Sequence, residues 1–153
     1  MGKLSKRKGS EFERKVAKLI AEAYGVDWKE FLPRTPASGG LQWKGDLIPL
    51  KEFKEIFPYY TECKHQERWS WYQLFTNPSK SPLLEWFHKA EKESKGSSVL
   101  LVFTKDRAPV FVMVSELLLS FYSNVTELKV FDGEKFLAVL LLDDLLKFLV
   151  SGV

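Results

Sequence analysis

The stretch GDLIPLKEFKEIFPYYTECK, Gly45 to Lys64, decides how this chain folds. Two β-favouring runs, Asp46 to Leu50 and Pro58 to Lys64, flank the charged stretch Lys51 to Glu55, so the segment predicts two antiparallel strands. Residues two apart in a strand point to one face about 6.6 Å apart, so Glu62 and Lys64 share a face while Cys63 points away. The antiparallel pairing sets Asp46 opposite Glu62.

Two carboxylates and an ammonium in that arrangement suit phosphodiester hydrolysis. A hard divalent cation lowers the pKa of water and neutralises charge on the phosphorane-like transition state. Mg²⁺ takes oxygen ligands, usually one or two carboxylates plus water and phosphate oxygens. Asp46 and Glu62 supply such ligands, and Lys64 can orient the attacking water and offset phosphate charge. The same residues also suit two surface strands with an exposed ion pair of negligible worth, so the rest of the chain has to decide.

Upstream, Ser10 and Glu13 form a capping box, and Phe12, Val16, Leu19, Ile20 and Ala23 recur at helical spacing until Gly25. Lys3, Lys6, Arg7 and Lys8 precede that box as a basic flexible arm, residues 1–9, suited to lie along phosphates. Residues 1–18 hold seven Lys or Arg against two Glu, whereas 116–153 hold three against six, so the net charge of +3 is gathered at one end. The Pro-, Gly- and Ser-rich run 33–45 reads as a loop.

Downstream, Ser81 and Pro82 suit the cap and first position of a second helix with Leu83, Leu84, Phe87 and Ala90 on its apolar face, ending before Gly96. Strands are expected at Val99 to Thr104 and Val110 to Val114, a helix from Ser115, a hairpin around Asp132-Gly133 and an apolar helix from Asp143 to Val150. This order predicts an α/β fold with a central mixed β-sheet flanked by helices. At 153 residues and 45% apolar content the chain is read as a single domain. The lone Cys63 excludes a disulfide framework and a cysteine-based zinc site and suits a cytoplasmic setting. The basic N-terminus lacks a signal peptide's apolar stretch, and Asp143 and Asp144 break the apolar run from Phe136, so no membrane partner is expected.

KRKGSEFER at 6–14, PRTPASGG at 33–40, GDLIPL at 45–50 and TECK at 61–64 together resemble, in order, the archaeal-type Holliday junction resolvases of the PD-(D/E)XK nuclease superfamily. The likeness is strong over about the first 65 residues and loose afterwards. It implies the PD-(D/E)XK, restriction-endonuclease-like fold and a homodimer that cuts two opposed strands of a four-way DNA junction with Mg²⁺, Mn²⁺ being a substitute. No small-molecule cofactor is implied, and recombination, repair and viral genome processing all fit. By position, the resemblance implies that Glu13, Asp46, Glu62 and the backbone carbonyl of Cys63 hold the metal. Lys64 becomes the catalytic lysine and Ser38 the functional serine of the loop. Lys6, Arg7, Lys8, Arg34, Ser38 and Gly39 would contact DNA. Gly45 stands where the family has proline, and the connection from Asp46 to Glu62 is longer than the family's hairpin.

Several residues keep two readings. Glu13 suits a cap as well as a ligand. Trp69, Trp71, Tyr72 and Phe75, in a segment without counterpart, are read as core or dimer-interface residues in preference to base-stacking ones. His65 is read as a bystander, and Lys105 as a cleft-edge DNA contact or an ordinary strand-end lysine. Alternatives for the whole chain are another PD-(D/E)XK repair or restriction-like endonuclease on linear or flapped DNA, and a non-catalytic DNA-binding protein.

Overall fold

A computed structural model describes residues 2–36, 43–120, 122 and 127–151, with side chains from Lys6 onward. Ser38 and Gly39 lie outside the described residues.

The first helix, α1 (Gly2–Tyr24), starts eight residues before the expected cap. The segment read as an arm therefore continues the helix. Its lysines and arginine are good helix formers with no proline to stop them, and Arg7 pairs with Glu11 at 3.1 Å one turn on. Ser10 is interior to the helix and caps nothing; its hydroxyl instead accepts from Arg34 Nη2 at 3.1 Å. Phe12, Val16, Ala17 and Ile20 are buried on one face. The helix ends where Gly25 takes φ +70° and Val26 N–H returns to the Ala21 carbonyl. A short α2 (Trp28–Phe31) follows, capped by Asp27.

Where a strand was expected at 46–50, only isolated antiparallel bridges form, Leu47 with Arg34 and Leu47 with Thr61. Pro49 lacks the N–H that a longer ladder needs, and the charged stretch beyond it winds into α3 (Phe53–Ile56). Phe53 and Phe57 pack there against Tyr24.

The strand carrying TECK is β1 (Tyr60–His65). It is followed by α4 (Trp71–Thr76) and α5 (Pro82–Glu93), whose cap is Ser81, its Oγ accepting from Leu83 N–H at 3.2 Å. Next come β2 (Val99–Thr104), β3 (Phe111–Ser115), the short α6 (Glu116–Leu119), the hairpin β4 (Leu128–Phe131) and β5 (Phe136–Leu141), and α7 (Leu142–Ser151). Gly133 turns the hairpin at φ +104°, a value that favours glycine.

The sheet order is β1-β2-β3-β5-β4. Its first pair is parallel and the rest antiparallel, giving a five-stranded mixed sheet. All six residues of β2 are buried, as a strand covered on both faces requires. Alternation sends Leu100 and Val102 to a core shared with α1 and α7, and Leu101 and Phe103 to a second core under α5. β1 is an edge strand, braced at Thr61 by the Leu47 bridge. No helix among the described residues is long and apolar enough to cross a membrane.

Candidate active site

The alternation of β1 places Cys63 in the α1-side core and Tyr60 in the α5-side core. Glu62 and Lys64 therefore share the face toward α5, where Lys64 Nζ lies 5.6 Å from the centre of the Trp86 ring. Arg68 stands over the same ring at 5.0 Å.

Asp46 is fixed to the edge of β1 by its backbone and its side chain together. Its N–H donates to the Thr61 carbonyl at 2.9 Å, and its Oδ2 accepts from Cys63 N–H at 2.8 Å. The carboxylate thus occupies the place of a strand partner's carbonyl. Gly45 makes the approach fit, because a Cβ there would lie 2.9 Å from Trp43 Nε1 and 3.3 Å from the Thr61 carbonyl. Trp43 cannot yield freely, since its Nε1 donates to the Leu47 carbonyl at 2.8 Å. The departure from proline at this position has a steric reason, as a pyrrolidine ring also carries a Cβ. Gly45→Ala is expected to lower stability by about 1–3 kcal/mol and weaken divalent-metal binding, measured by thermal melting and metal titration. Unchanged values in both would show that the turn yields without cost.

The electrostatics of the two carboxyls are unusual. Burial, reinforced by repulsion from Asp46, pushes Glu62 up to about 8 from its ordinary 4.5. Burial also raises Asp46 to about 6, against the Cys63 hydrogen bond and Lys64, with Glu13 adding repulsion. Burial and the surrounding carboxylates hold the Cys63 thiol well above its ordinary range, so it is inert. A carboxyl raised in the native state holds its proton more tightly folded than unfolded. The stability contributed by Glu62 is therefore complete below about pH 4.5 and lost as pH rises through about 8. Metal-free protein should melt at a lower temperature at pH 9 than at pH 6, and Glu62→Gln should flatten that slope. Melting curves in EDTA with the same slope in both proteins would contradict this origin.

Glu13 sits on α1, on the other side of β1, and its Oε1 accepts from Arg34 Nε at 2.7 Å. Arg34, expected to contact phosphate, is thus engaged by an expected metal ligand. A cleft of about 620 Å³ brings Lys8, Glu13, Asp46, Cys63, Lys64, His65 and Arg68 to one surface. Glu62 does not line this cleft; it stands beside Asp46, where a hydrogen bond between the two carboxyls counters the upward push of burial on Asp46. Lys6 and Arg7 are exposed on α1.

Sequence reasoning missed one cluster. His65 Nε2 lies 2.9 Å from Asp106 Oδ1, Lys8 Nζ lies 3.0 Å from Asp106 Oδ2, and Glu67 Oε2 accepts from Asp106 N–H at 2.7 Å. His65, Glu67 and Asp106 are the His, Cys, Asp or Glu groups among the described residues with three ligand atoms within 4.8 Å of one another. Glu13, Asp46 and Glu62 do not close to that separation. Lys8 already satisfies Asp106. No local signal ties Asp106 to His65, 41 residues away, because the parallel register of β1 and β2 makes the contact. Lys105 is likewise taken up locally, donating to the Trp69 carbonyl with its ammonium 4.3 Å over the Trp69 ring.

A comparison with protein families matches residues 4–138 to the family described as "Phage putative PDDEXK endonuclease". No curated protein and no solved structure gives a significant match. The matched span takes in α1, the Asp46 turn, the Glu62-Cys63-Lys64 strand and all but the end of the sheet, so the chain belongs to this phage family of PD-(D/E)XK endonucleases.

Proposed function

We propose that the chain is a structure-selective endonuclease that resolves four-way DNA junctions, acting as a homodimer through metal-dependent hydrolysis. The observation that carries the nuclease reading is Asp46, pinned by Cys63 N–H to the strand of Glu62 and Lys64, sharing one cleft with Lys64, Glu13, Lys8 and Arg68 while Glu62 stands beside it. The junction reading is supported by the ordered resemblance of the first 65 residues to archaeal-type resolvases. A centre that addresses two opposed strands needs a second copy related by a two-fold axis.

The residues fit a divalent cation. Loss of water around two half-buried, adjacent carboxyls disfavours their charged forms, raising Glu62 to about 8 and Asp46 to about 6, and Lys64 only partly offsets this. Such an excess of oxygen-borne negative charge suits Mg²⁺, with Mn²⁺ as substitute. Asp46, Glu62, the Cys63 carbonyl and Glu13 would hold it. When bound, the cation supplies an acidified water and charge neutralisation at phosphorus. Lys64 orients the attacking water and offsets charge on the phosphate. Lys6, Arg7 and Lys8 hold the DNA backbone, as do Ser38 and Gly39. A phosphate that takes Arg34 releases Glu13 from its ion pair, so DNA binding and completion of the carboxylate set are coupled.

The test is cleavage of a labelled immobile four-way junction and its matching linear duplex, with Mg²⁺ or EDTA. Symmetric nicking confined to the junction and abolished by EDTA is the expected result. Cleavage of both DNAs would assign a broader repair or restriction-like role, and binding without cleavage would leave a DNA-binding protein.

A further inference from the structure

The aromatic segment Glu67 to Thr76 presents two faces with opposite fates. Trp69 is 1% exposed, and Trp71 and Leu74 turn inward with it, Trp71 packing on Phe111 at 4.9 Å. Tyr72 and Phe75, three residues apart on the outer face of the same short helix, are 78% and 66% exposed. Two large rings held one turn apart in solvent go against the burial expected of them, and their support is firm. Ser70 Oγ caps the helix at 3.1 Å from Gln73 N–H, and Lys105 ties down the carbonyls of Glu67 and Trp69 that lead into it.

Two observations select the occupant. From residue 68 to residue 84 the chain contains Arg68 and Lys80 but no Asp or Glu, which suits a polyanion. The apolar area is also small: two aromatic side chains offer at most about 150–250 Å² each, well short of the roughly 800 Å² per partner of a specific protein interface. Nucleic acid combines negative charge with flat faces the size of a single ring system. Four residues separate Tyr72 from the cleft-lining Arg68, so their Cα atoms lie within about 14 Å, a span of about four stacked base steps.

We infer that Tyr72 and Phe75 form a stacking platform for unstacked DNA bases beside the cleft, selecting branched or locally opened DNA over continuous duplex. This rests on the reading of the cleft as a nuclease centre and adds a specificity element outside it. Stacking on aromatic side chains is indifferent to base identity, so the platform selects for openness of the helix.

The experiment compares wild type, Tyr72→Ala/Phe75→Ala and Tyr72→Trp/Phe75→Trp in EDTA. The probes are a four-way junction with 2-aminopurine at the branch point and the matching linear duplex. The alanine pair should bind the junction about ten- to a hundredfold more weakly, lose the change in 2-aminopurine fluorescence and keep its duplex affinity. The tryptophan pair should behave as wild type. Equal losses on both DNAs, or none, overturn the platform. So does a wild-type dimer that the alanine pair converts to monomer in sedimentation. A wild type that binds and cleaves no DNA overturns the nuclease reading along with it, whereas an alanine pair with wild-type junction binding and cleavage overturns the platform alone.

Discussion

Lys64→Ala should lower the rate of DNA cleavage at least about a thousandfold while leaving DNA affinity within about threefold, measured by single-turnover cleavage in Mg²⁺ and by binding in EDTA. The asymmetry follows from where the lysine stands. Its ammonium acts on both carboxyls and rests over the Trp86 ring, so it is aimed by packing and charge together. Lys8, Arg68 and the exposed cations of α1 remain to hold phosphates. Lys64→Arg should recover little, because a planar guanidinium cannot replace a compact ammonium beside water and phosphorus. Cleavage within tenfold of wild type in Lys64→Ala would remove the lysine from the chemistry.

The second large effect is on stability. Trp69→Ala should cost about 3–5 kcal/mol, read from urea unfolding. Trp69 is enclosed by Trp71 and Phe103 at 5.0 Å each and by Phe111 at 6.2 Å, and its Nε1 donates to the Thr104 carbonyl at 3.1 Å. Its removal opens a cavity and takes one of two donors from that carbonyl, leaving only Gln66 N–H at 3.3 Å. Tyr72→Ala, three residues away but exposed, should stay within about 0.5 kcal/mol. A loss below about 1 kcal/mol for Trp69→Ala would mean that the aromatic cluster collapses to fill the gap.

The contrast between those neighbours shows what local sequence carries. Periodicity and chemistry that act over one or two turns were legible: the Ser81-Pro82 start of α5, the uninterrupted apolar run of β2, the Asp132-Gly133 hairpin and the alternation that separates Cys63 from Glu62 and Lys64. What depended on distant partners was not. Ser10 and Glu13 have the spacing of a capping box, yet both are spent on Arg34, 24 and 21 residues on. Nothing near Arg34 announces that contact. Asp46 to Leu50 has the composition of a strand, but Leu47 alone bridges to Thr61; Ile48 and Leu50 donate instead to the Pro33 and Phe31 carbonyls, and Pro49 has no N–H to extend the ladder. The aromatic run 69–75 could not be divided into inner and outer rings until the helix's rotation against β2 and β3 was known.

The way Asp46 is held bears on how such a nuclease can diversify. Thr35 N–H on one side, and the Thr61 carbonyl and Cys63 N–H on the other, fix it to an edge strand. None of these partners belongs to the connector 51–56, whose closure cost grows only logarithmically with length. Provided Phe53 and Phe57 keep filling their place beside Tyr24, residues can be added to or grafted into that connector without moving the carboxylate. The long connector is then a site where evolution, or an engineer, can append new recognition surface and leave the proposed cutting centre unchanged.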